Sequence, residues 1–270
     1  MREWVEAGGT HAEAVHQAEV VQPRELQHVQ ADEIRLKTQA GVLWMAMAMM
    51  VSTRLWLGGA VSATCDRNLI GRLVALVAAS ASWGPLLVVT DGLVSYIDAV
   101  RKAFRTCQGG TGGRPGLVGW PDLVIAQVVK QYAGRAVQGT IHRLVQGSVR
   151  MFLTVLWSTP GCQVLNAAYI ERLNGTFRSR LAIFGRRTRG PARVAATVER
   201  GMYLVGTLYN FCCTHTSLRM SNRRVYAGDG GRDHRPCLDG ERTAALSCAA
   251  STMGAATATW ASLTGTSSPD

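Results

Sequence analysis

The sequence has few acidic residues for its number of basic ones. Its 18 aspartates and glutamates stand against 29 lysines and arginines, which gives a formal net charge of +11 over 270 residues. This balance favours a polyanionic partner, and charge alone leaves DNA, RNA and an anionic membrane surface open. The apolar fraction of 47% is large enough to fill the core of one large domain, or of one domain with extensions.

The chain also lacks several signatures that would assign a function. Its seven cysteines include no CxxC pair, so neither a disulfide framework nor a zinc site is predicted. The glycine-rich stretch 108–116 lacks the GK[ST] of a nucleotide-binding loop. The most apolar run, residues 41–51, is shorter than the about 20 residues of a bilayer-spanning helix, and residues 1–30 lack the apolar core of a secretory leader. We therefore expect a cytoplasmic protein with no membrane partner.

The sequence does contain a succession of strand and helix patterns. From Val29, three runs rich in β-branched and aromatic residues follow one another with short links, which predicts an antiparallel meander. Strands and helices then alternate ahead of a long helical region: helix 68–80 capped by Asp66, buried strand 85–90, helix 93–104, strand 123–129 and helical segments over 166–211.

These patterns divide the chain into three parts. Residues 1–28 predict a linker helix or the remnant of another domain, and residues 29–219 predict the main domain. Residues 220–270 are rich in Gly, Ala, Ser and Thr and predict a low-complexity, disordered tail. The predicted fold class is α/β, with a mixed sheet of three antiparallel strands, then strands alternating with helices, and a C-terminal helical region.

Two aspartates occupy positions typical of a metal site. Asp32 lies in the middle of the first strand, where an unpartnered charge would be costly to bury, and Asp91 ends the buried strand that should lie beside it. Two carboxylates that meet in this way repel each other unless a cation lies between them, and hard oxygen ligands favour Mg²⁺ or Mn²⁺. Strand alternation turns Glu33 to the opposite face, so only one of Asp32 and Glu33 should reach the site.

A third acid, Glu171, lies on a predicted helix but off its buried stripe. Asn174 and Arg178 fall on the same side of that helix, so an acid, an amide and a cation should share one exposed ridge that suits a metal bound to a phosphate. Each acid also has an ordinary structural explanation: a salt-bridge partner for Asp32, a turn residue for Asp91 and a solvated helix position for Glu171. The three together favour a metal site.

Four segments of the sequence carry a family resemblance: VQADEIRLK, VVTDGLVSYIDAVRKAFR, NAAYIERLNGTFRSRLAIFGRRTR and LYNFCCTHTSLR. They resemble the catalytic core of bacterial insertion-sequence transposases of the DDE, retroviral-integrase-like superfamily, over roughly residues 29–219. The Asp–Asp–Glu residues of that family fall on Asp32, Asp91 and Glu171.

The resemblance implies an RNase H-like integrase or transposase catalytic domain over residues 29–219. It implies DNA cleavage and strand transfer with two Mg²⁺ or Mn²⁺ ions bound by Asp32, Asp91 and Glu171. The expected partners are DNA, as transposon ends and target, and further copies of the chain in a homo-oligomer, and the expected location is the nucleoid.

Polar residues around and after Glu171 are the candidates for DNA contact. The arginine-rich stretch suits phosphate binding better than base readout, although a solvated helix face is its ordinary explanation. The candidates are Asn174, Arg178, Arg180, Arg186, Arg187 and Arg189. His215, in the last of the four segments, either approaches the active site or serves only in packing.

Three alternatives to an active transposase stay open. A truncated, inactive transposase remnant that binds DNA would account for the 28 residues ahead of the core and for the unfamiliar tail after Arg219. An RNase H-like nuclease would cut the RNA of hybrids, although the basic helix after Glu171 speaks against it. A basic nucleic-acid-binding module would bind without metal and cleave nothing.

Overall fold

The protein is built from strands and helices that alternate along most of the chain. The computed structural model describes residues 2–39, 41–108, 116–134, 136–160, 162, 164–181, 194–215, 218 and 226–229. The strands are β1 (His28–Thr38), β2 (Gly41–Met50), β3 (Trp56–Ser62), β4 (Leu86–Thr90), β5 (Arg105–Gln108), β6 (Gly116–Gly119), β7 (Leu123–Ala133) and β8 (Ala136–Gln146). The helices are α1 (Arg2–Glu19), α2 (Arg67–Ala79), α3 (Val94–Ala103), α4 (Val149–Ser158), α5 (Ala168–Arg180) and α6 (Ala195–Phe211), with a 3₁₀ turn at Ala227–Asp229.

Six of the strands form one mixed sheet in the order β3–β2–β1–β4–β7–β8, while β5 and β6 form a separate hairpin. β1, β4 and β7 run parallel, β2 is antiparallel to both β1 and β3, and β8 is antiparallel to β7. The α/β class and the antiparallel meander are thereby confirmed. The β5–β6 hairpin, β8 and α4 are elements that the sequence patterns did not predict.

Helices cover both faces of the sheet. α2 and α3 pack on one face, where buried side chains such as Leu73 and Tyr96 meet Val29 and Val88 of the strands. α2 begins where the sequence predicts, because the Asp66 carboxylate accepts a hydrogen bond from the backbone N–H of Leu69 at 3.0 Å. α5 and α6 cover β1 to β3 on the other face, and α4 lies beside them over β4 and β7.

Contacts between α6 and β3 fix the centre of the second face. A Cβ at Gly206 would lie 2.1 Å from the Trp56 indole, so only glycine lets the helix approach the strand this closely. Asn210, fully buried, accepts a hydrogen bond from the backbone N–H of Trp56 at 2.9 Å and donates one to its carbonyl at 3.0 Å. This side-chain amide therefore takes the place of a neighbouring strand at Trp56.

The first helix belongs to the same layer. α1 packs on α6, where the Thr207 hydroxyl donates to the Ala12 carbonyl at 3.0 Å and Arg200 forms an ion pair with Glu13. The expected linker or remnant is thus a helix that packs on the main domain.

Several predictions concern positions outside the described residues. They include most of the glycine-rich stretch 108–116, Arg186, Arg187 and Arg189, and the tail 220–270 except Tyr226–Asp229. Within the part of the chain that the structure describes, no helix combines the length and the apolar character needed to cross a membrane.

Candidate metal centre

The carboxylates of Asp32 and Asp91 meet where β4 ends beside the middle of its parallel neighbour, β1. β1 and β4 pair from His28↔Leu87 to Gln30↔Val89, so continuing this register brings Asp32 level with Asp91, just beyond the last residue of β4. One oxygen of each carboxylate lies within 4.8 Å of the other. The predicted meeting of these two acids is confirmed.

The third carboxylate of this group is Glu33, which also offers an oxygen within 4.8 Å of both aspartates. The prediction that only one of Asp32 and Glu33 reaches the site is therefore wrong. The two side chains do leave β1 on opposite faces, but β4 pairs with β1 only as far as Gln30. The edge of β1 is open beyond that point, so both carboxylates can extend around it towards Asp91.

A buried tyrosine holds Glu33 from the α3 side. The Tyr96 hydroxyl donates to Oε2 of Glu33 at 3.0 Å, and Tyr96 itself is fully buried. Burial and the charge of Glu33 raise the pKa of Tyr96 well above its usual value, so this hydroxyl keeps its proton and remains a donor. The sequence did contain a signal for this contact, because a tyrosine on the apolar stripe of a helix needs a partner for its hydroxyl.

Asn174 holds Asp32 from the α5 side. Its Nδ2 donates to Oδ2 of Asp32 at 2.7 Å, and only 4% of the residue is exposed. The predicted exposed ridge is therefore wrong for Asn174, because α5 turns this position against the sheet. The Oδ1 of Asn174 is buried and has no hydrogen-bond partner in the described structure, which leaves a hard oxygen acceptor unpaired next to the carboxylates.

The position of α5 depends on a second buried amide, Gln30 of β1. Its Nε2 donates to the Asn166 carbonyl at 2.7 Å, and its Oε1 accepts from the backbone N–H of Ile170 at 3.1 Å. These two bonds fix the start of α5 over β1, two residues before Asp32. The sequence does not mark Gln30 as a site residue, because a single glutamine within an apolar strand gives no sign of its partner.

Glu171 lies in the first turn of α5 and is outside the group of three carboxylates. Its Oε1 is 2.5 Å from Nζ of Lys130 on β7, and 43% of its side chain is exposed. The hydrogen bond from Lys130 to Glu171 raises the pKa of the lysine, which therefore stays charged. Among the described residues, the structure thus brings Asp32 and Asp91 together as predicted, with Glu33 rather than Glu171 beside them.

The electrostatics of the three acids follow from burial and mutual repulsion. Burial raises the pKa of Asp32 to about 6, with further increases from Asp91 and Glu171. Burial, then Asp91 and Asp32, raise the pKa of Glu33 to about 7, and burial also raises the pKa of Asp91. Converging acids and an unpaired amide oxygen are a donor set that fits a hard divalent cation such as Mg²⁺ or Mn²⁺.

The remaining candidates among the described residues are Arg178, Arg180 and His215. Arg178 and Arg180 are exposed in the last turn of α5, and Arg180 Nη1 donates to Sγ of Cys213 at 2.7 Å. The ring of His215 packs on Tyr209 with the centroids 4.6 Å apart, and burial lowers its pKa. Of the two roles considered for His215, these contacts correspond to packing.

A scan of the chain against models of known protein families finds no match, and a search of curated proteins finds no similar sequence.

Proposed function

We propose that the chain is a DNA transposase, an RNase H-like polynucleotidyl transferase of the DDE type that cleaves and joins DNA with two Mg²⁺ or Mn²⁺ ions. The observation that carries this proposal is the convergence of Asp32, in the middle of β1, with Asp91, at the end of the adjacent parallel strand β4, beneath a helix that carries Glu171. These are the positions at which the sequence resembles the catalytic triad of insertion-sequence transposases.

Each carboxylate of the site is oriented by a neighbour. Asp32 accepts from Asn174, Asp91 Oδ1 accepts from the backbone N–H of Leu93 at 2.9 Å, and Glu33 accepts from Tyr96. Asp32, Asp91 and Glu33 would hold divalent cations, with Glu171 as the fourth acid at the rim. Two bound ions would supply an activated water or 3′-hydroxyl and stabilise the leaving oxygen of an in-line displacement at phosphorus.

The proposed partner is DNA, as transposon ends and target, in the nucleoid. The formal net charge of +11 and the exposed cations Arg178 and Arg180 at the end of α5 support a phosphate backbone as the ligand. Joining two ends in one reaction requires two sites, so a homo-oligomer is the proposed working form.

A DNA-binding remnant without activity is the second candidate. The observation that favours it is the ion pair between Glu171 and Lys130, which ties the third acid of the triad to a cation outside the group of three carboxylates. An active enzyme requires Glu171 to exchange Lys130 for metal when DNA and metal bind. A remnant would keep the pair and bind DNA without cutting it.

The test is metal-dependent nicking and strand transfer on DNA that carries the sequences flanking the coding region, with an RNA–DNA hybrid in parallel. The native chain is compared with Asp91→Asn and Glu171→Gln. Asp98→Asn and Glu6→Gln are the matched controls, because both replace exposed carboxylates outside the site.

If the chain is a transposase, it should cut and join the DNA only with Mg²⁺ or Mn²⁺. Both site variants should lose this activity, and both control variants should keep it. Cleavage of the hybrid alone would assign an RNase H-like nuclease instead. Salt-sensitive DNA binding without any cutting would identify the inactive remnant, and cutting that survives Asp91→Asn would reject the proposed site.

A further inference from the structure

The link between β2 and β3, residues 51–55, contains a buried arginine without an acid beside it. Arg54 is only 7% exposed, and none of the ion pairs among the described residues involves it. Its Nη1 donates to the Val51 carbonyl, and its Cζ lies 3.8 Å from the centroid of the Tyr169 ring. Both contacts are to uncharged groups, and a buried charge is costly unless an opposite charge balances it.

The backbone of the link is strained at the same residue. Arg54 has a φ of 62°, in the left-handed region that residues other than glycine rarely adopt. Two hydrogen bonds hold the link in this form: the Met50 N–H donates to the Leu55 carbonyl, and the Val51 N–H donates to the His28 carbonyl, both at 2.8 Å. Strain of this kind concentrates at binding sites, where the surrounding structure maintains it.

Three more polar side chains at the link lack partners. Oγ of Ser52 and Oγ1 of Thr53 are buried without a hydrogen-bond partner in the described structure. The same holds for both ring nitrogens of His28, which is fully buried beside the link. The guanidinium of Arg54 folds back over the two hydroxyls, because it bonds the carbonyl of Val51. Buried polar atoms are nearly always paired, so this group of side chains calls for a ligand.

The surroundings of Arg54 provide no negative charge. Its charge acts, after burial, on the pKa values of His28, Cys162, Tyr209 and His215. Burial lowers the pKa of His28 to about 3 and raises that of Tyr209 to about 12, and it also raises the pKa of the Cys162 thiol. None of these four groups is therefore an anion near neutral pH.

The number of free donors indicates which anion would fit. A guanidinium has five N–H groups, and one of those of Arg54 is used within the described structure. The other four and the two hydroxyls make six donors, whereas a carboxylate offers about four acceptor positions. A phosphate group has more oxygens to accept them, and the planar fork of arginine matches its geometry.

We propose that the link is a binding site for a phosphate group, with Arg54 as its counter-charge and the hydroxyls of Ser52 and Thr53 as further donors. A free phosphate or a terminal phosphate ester is small enough to reach a side chain that is 7% exposed. His28 precedes Asp32 by four residues on β1, which places the site roughly 13 Å from the metal centre.

The test is isothermal titration calorimetry of the full chain with inorganic phosphate at pH 7.5, at constant ionic strength and without divalent cations. Arg54→Met removes the charge, Arg54→Lys keeps the charge without the fork, and Thr53→Val removes one hydroxyl at similar volume. Arg67→Met is the matched control, because it removes the same charge from a side chain that is 85% exposed. Thermal unfolding shows whether each variant folds.

The native chain should bind one phosphate and bind acetate more weakly. Arg54→Met should weaken phosphate binding by about 10-fold or more and Thr53→Val by about 3-fold or more, while Arg67→Met should stay within about twofold. Arg54→Lys should also bind more weakly than the native chain, and together with Thr53→Val it decides the question if Arg54→Met does not fold. No binding by the native chain, native affinity in the Arg54 variants, or equal affinity for acetate would overturn the proposal.

A second titration identifies the source of the phosphate group. Tighter binding of thymidine 5′-monophosphate than of inorganic phosphate would assign a terminal nucleotide phosphate, and the reverse order would assign the free ion; either result supports the site if Arg54→Lys weakens it. The site goes beyond the proposed function and does not depend on it. A chain that never cuts DNA can still bind phosphate at Arg54, and an active transposase can fail to do so.

Discussion

Glu33 and Tyr96 set how much negative charge the metal centre carries near neutral pH. Burial and the two neighbouring aspartates raise the pKa of Glu33 to about 7, whereas the Tyr96 hydroxyl bond lowers it by favouring the carboxylate. Glu33 is thus about half ionised near neutrality without a cation. A divalent cation that displaces this proton gains a third carboxylate already oriented by a buried donor.

Glu33→Gln should weaken Mn²⁺ binding by about 10-fold or more, measured by isothermal titration calorimetry at pH 8, because it removes a ligand charge. Tyr96→Phe removes only the hydrogen bond that orients Glu33, so it should weaken Mn²⁺ binding less than Glu33→Gln does, by at most about 10-fold, which is the lower end of the range typical of such supporting contacts. Glu6→Gln on α1 is the control, since it removes an exposed glutamate elsewhere. Native affinity in Glu33→Gln would mean that Glu33 is no ligand.

The position of α5 over β1 depends on few polar contacts within an apolar interface. Ile170, Leu173 and Phe177 supply the buried stripe of this helix, and Gln30 fixes its first turn. Since α5 carries both Asn174 and Glu171, its register along β1 decides whether the amide reaches Asp32. Apolar packing alone tolerates small sliding, whereas two hydrogen bonds to one side chain do not.

Gln30→Leu should lower the free energy of unfolding by roughly 2–4 kcal/mol, because the buried N–H of Ile170 is left unpaired at ~1–3 kcal/mol and the bond to the partly buried Asn166 carbonyl is lost at about 1 kcal/mol. Thermal unfolding should shift down by about 5–15 °C for a protein of this size. Gln131→Leu, at an exposed position of β7, is the matched control and should change stability by less than about 0.5 kcal/mol. Equal melting temperatures for the two variants would show that these bonds do not hold α5.

The elements that sequence patterns predicted are those whose burial is one-sided or complete. In β1 to β4 and in α2 and α3, the apolar residues recur with the period of the element and face a core. The parallel placement of β4 beside β1 brings Asp32 to Asp91 as expected. β8 was not predicted because it lies at the sheet edge with most of its residues exposed, so its sequence shows no alternation of apolar and polar residues. α4 was not predicted either, because its sequence has too few charged residues to show which face of a helix is exposed.

The part of the site that could not be predicted depends on where strands stop pairing. Alternation assigns Glu33 to the far face correctly, but it cannot show that β4 leaves the edge of β1 open after Gln30. Glu171 and Asn174 lie three residues apart on one helix, yet one is 43% exposed and the other 4%, because only the sheet beneath decides which is covered. Lys130, the partner of Glu171, lies on β7, which extends to Ala133 whereas the sequence pattern predicts a strand only over 123–129.

At the scale of the whole molecule, a basic protein concentrates three acids at one point. Their ordinary pKa values lie near 4, so in the unfolded chain they are ionised above about pH 5. In the folded protein Asp32 and Glu33 have pKa values of about 6 and 7 and therefore bind more protons than the unfolded chain between about pH 4 and 7. The free energy of unfolding of the metal-free protein consequently falls as pH rises through this window and levels off above it.

Divalent cations should reverse this loss, and the reversal should itself depend on pH. Since Mn²⁺ binds the ionised carboxylates, the rise in melting temperature on adding Mn²⁺ should be small at pH 5 and largest above pH 7.5. At a concentration a hundredfold above its Kd, the ion stabilises the folded protein by about 2.7 kcal/mol, which corresponds to a rise in melting temperature of roughly 5–10 °C.

Asp91→Asn should raise the melting temperature of the metal-free protein at pH 8 and abolish the Mn²⁺ response, whereas Asp98→Asn should leave both unchanged. A response independent of pH, or one that survives Asp91→Asn, would place the cation elsewhere on the molecule.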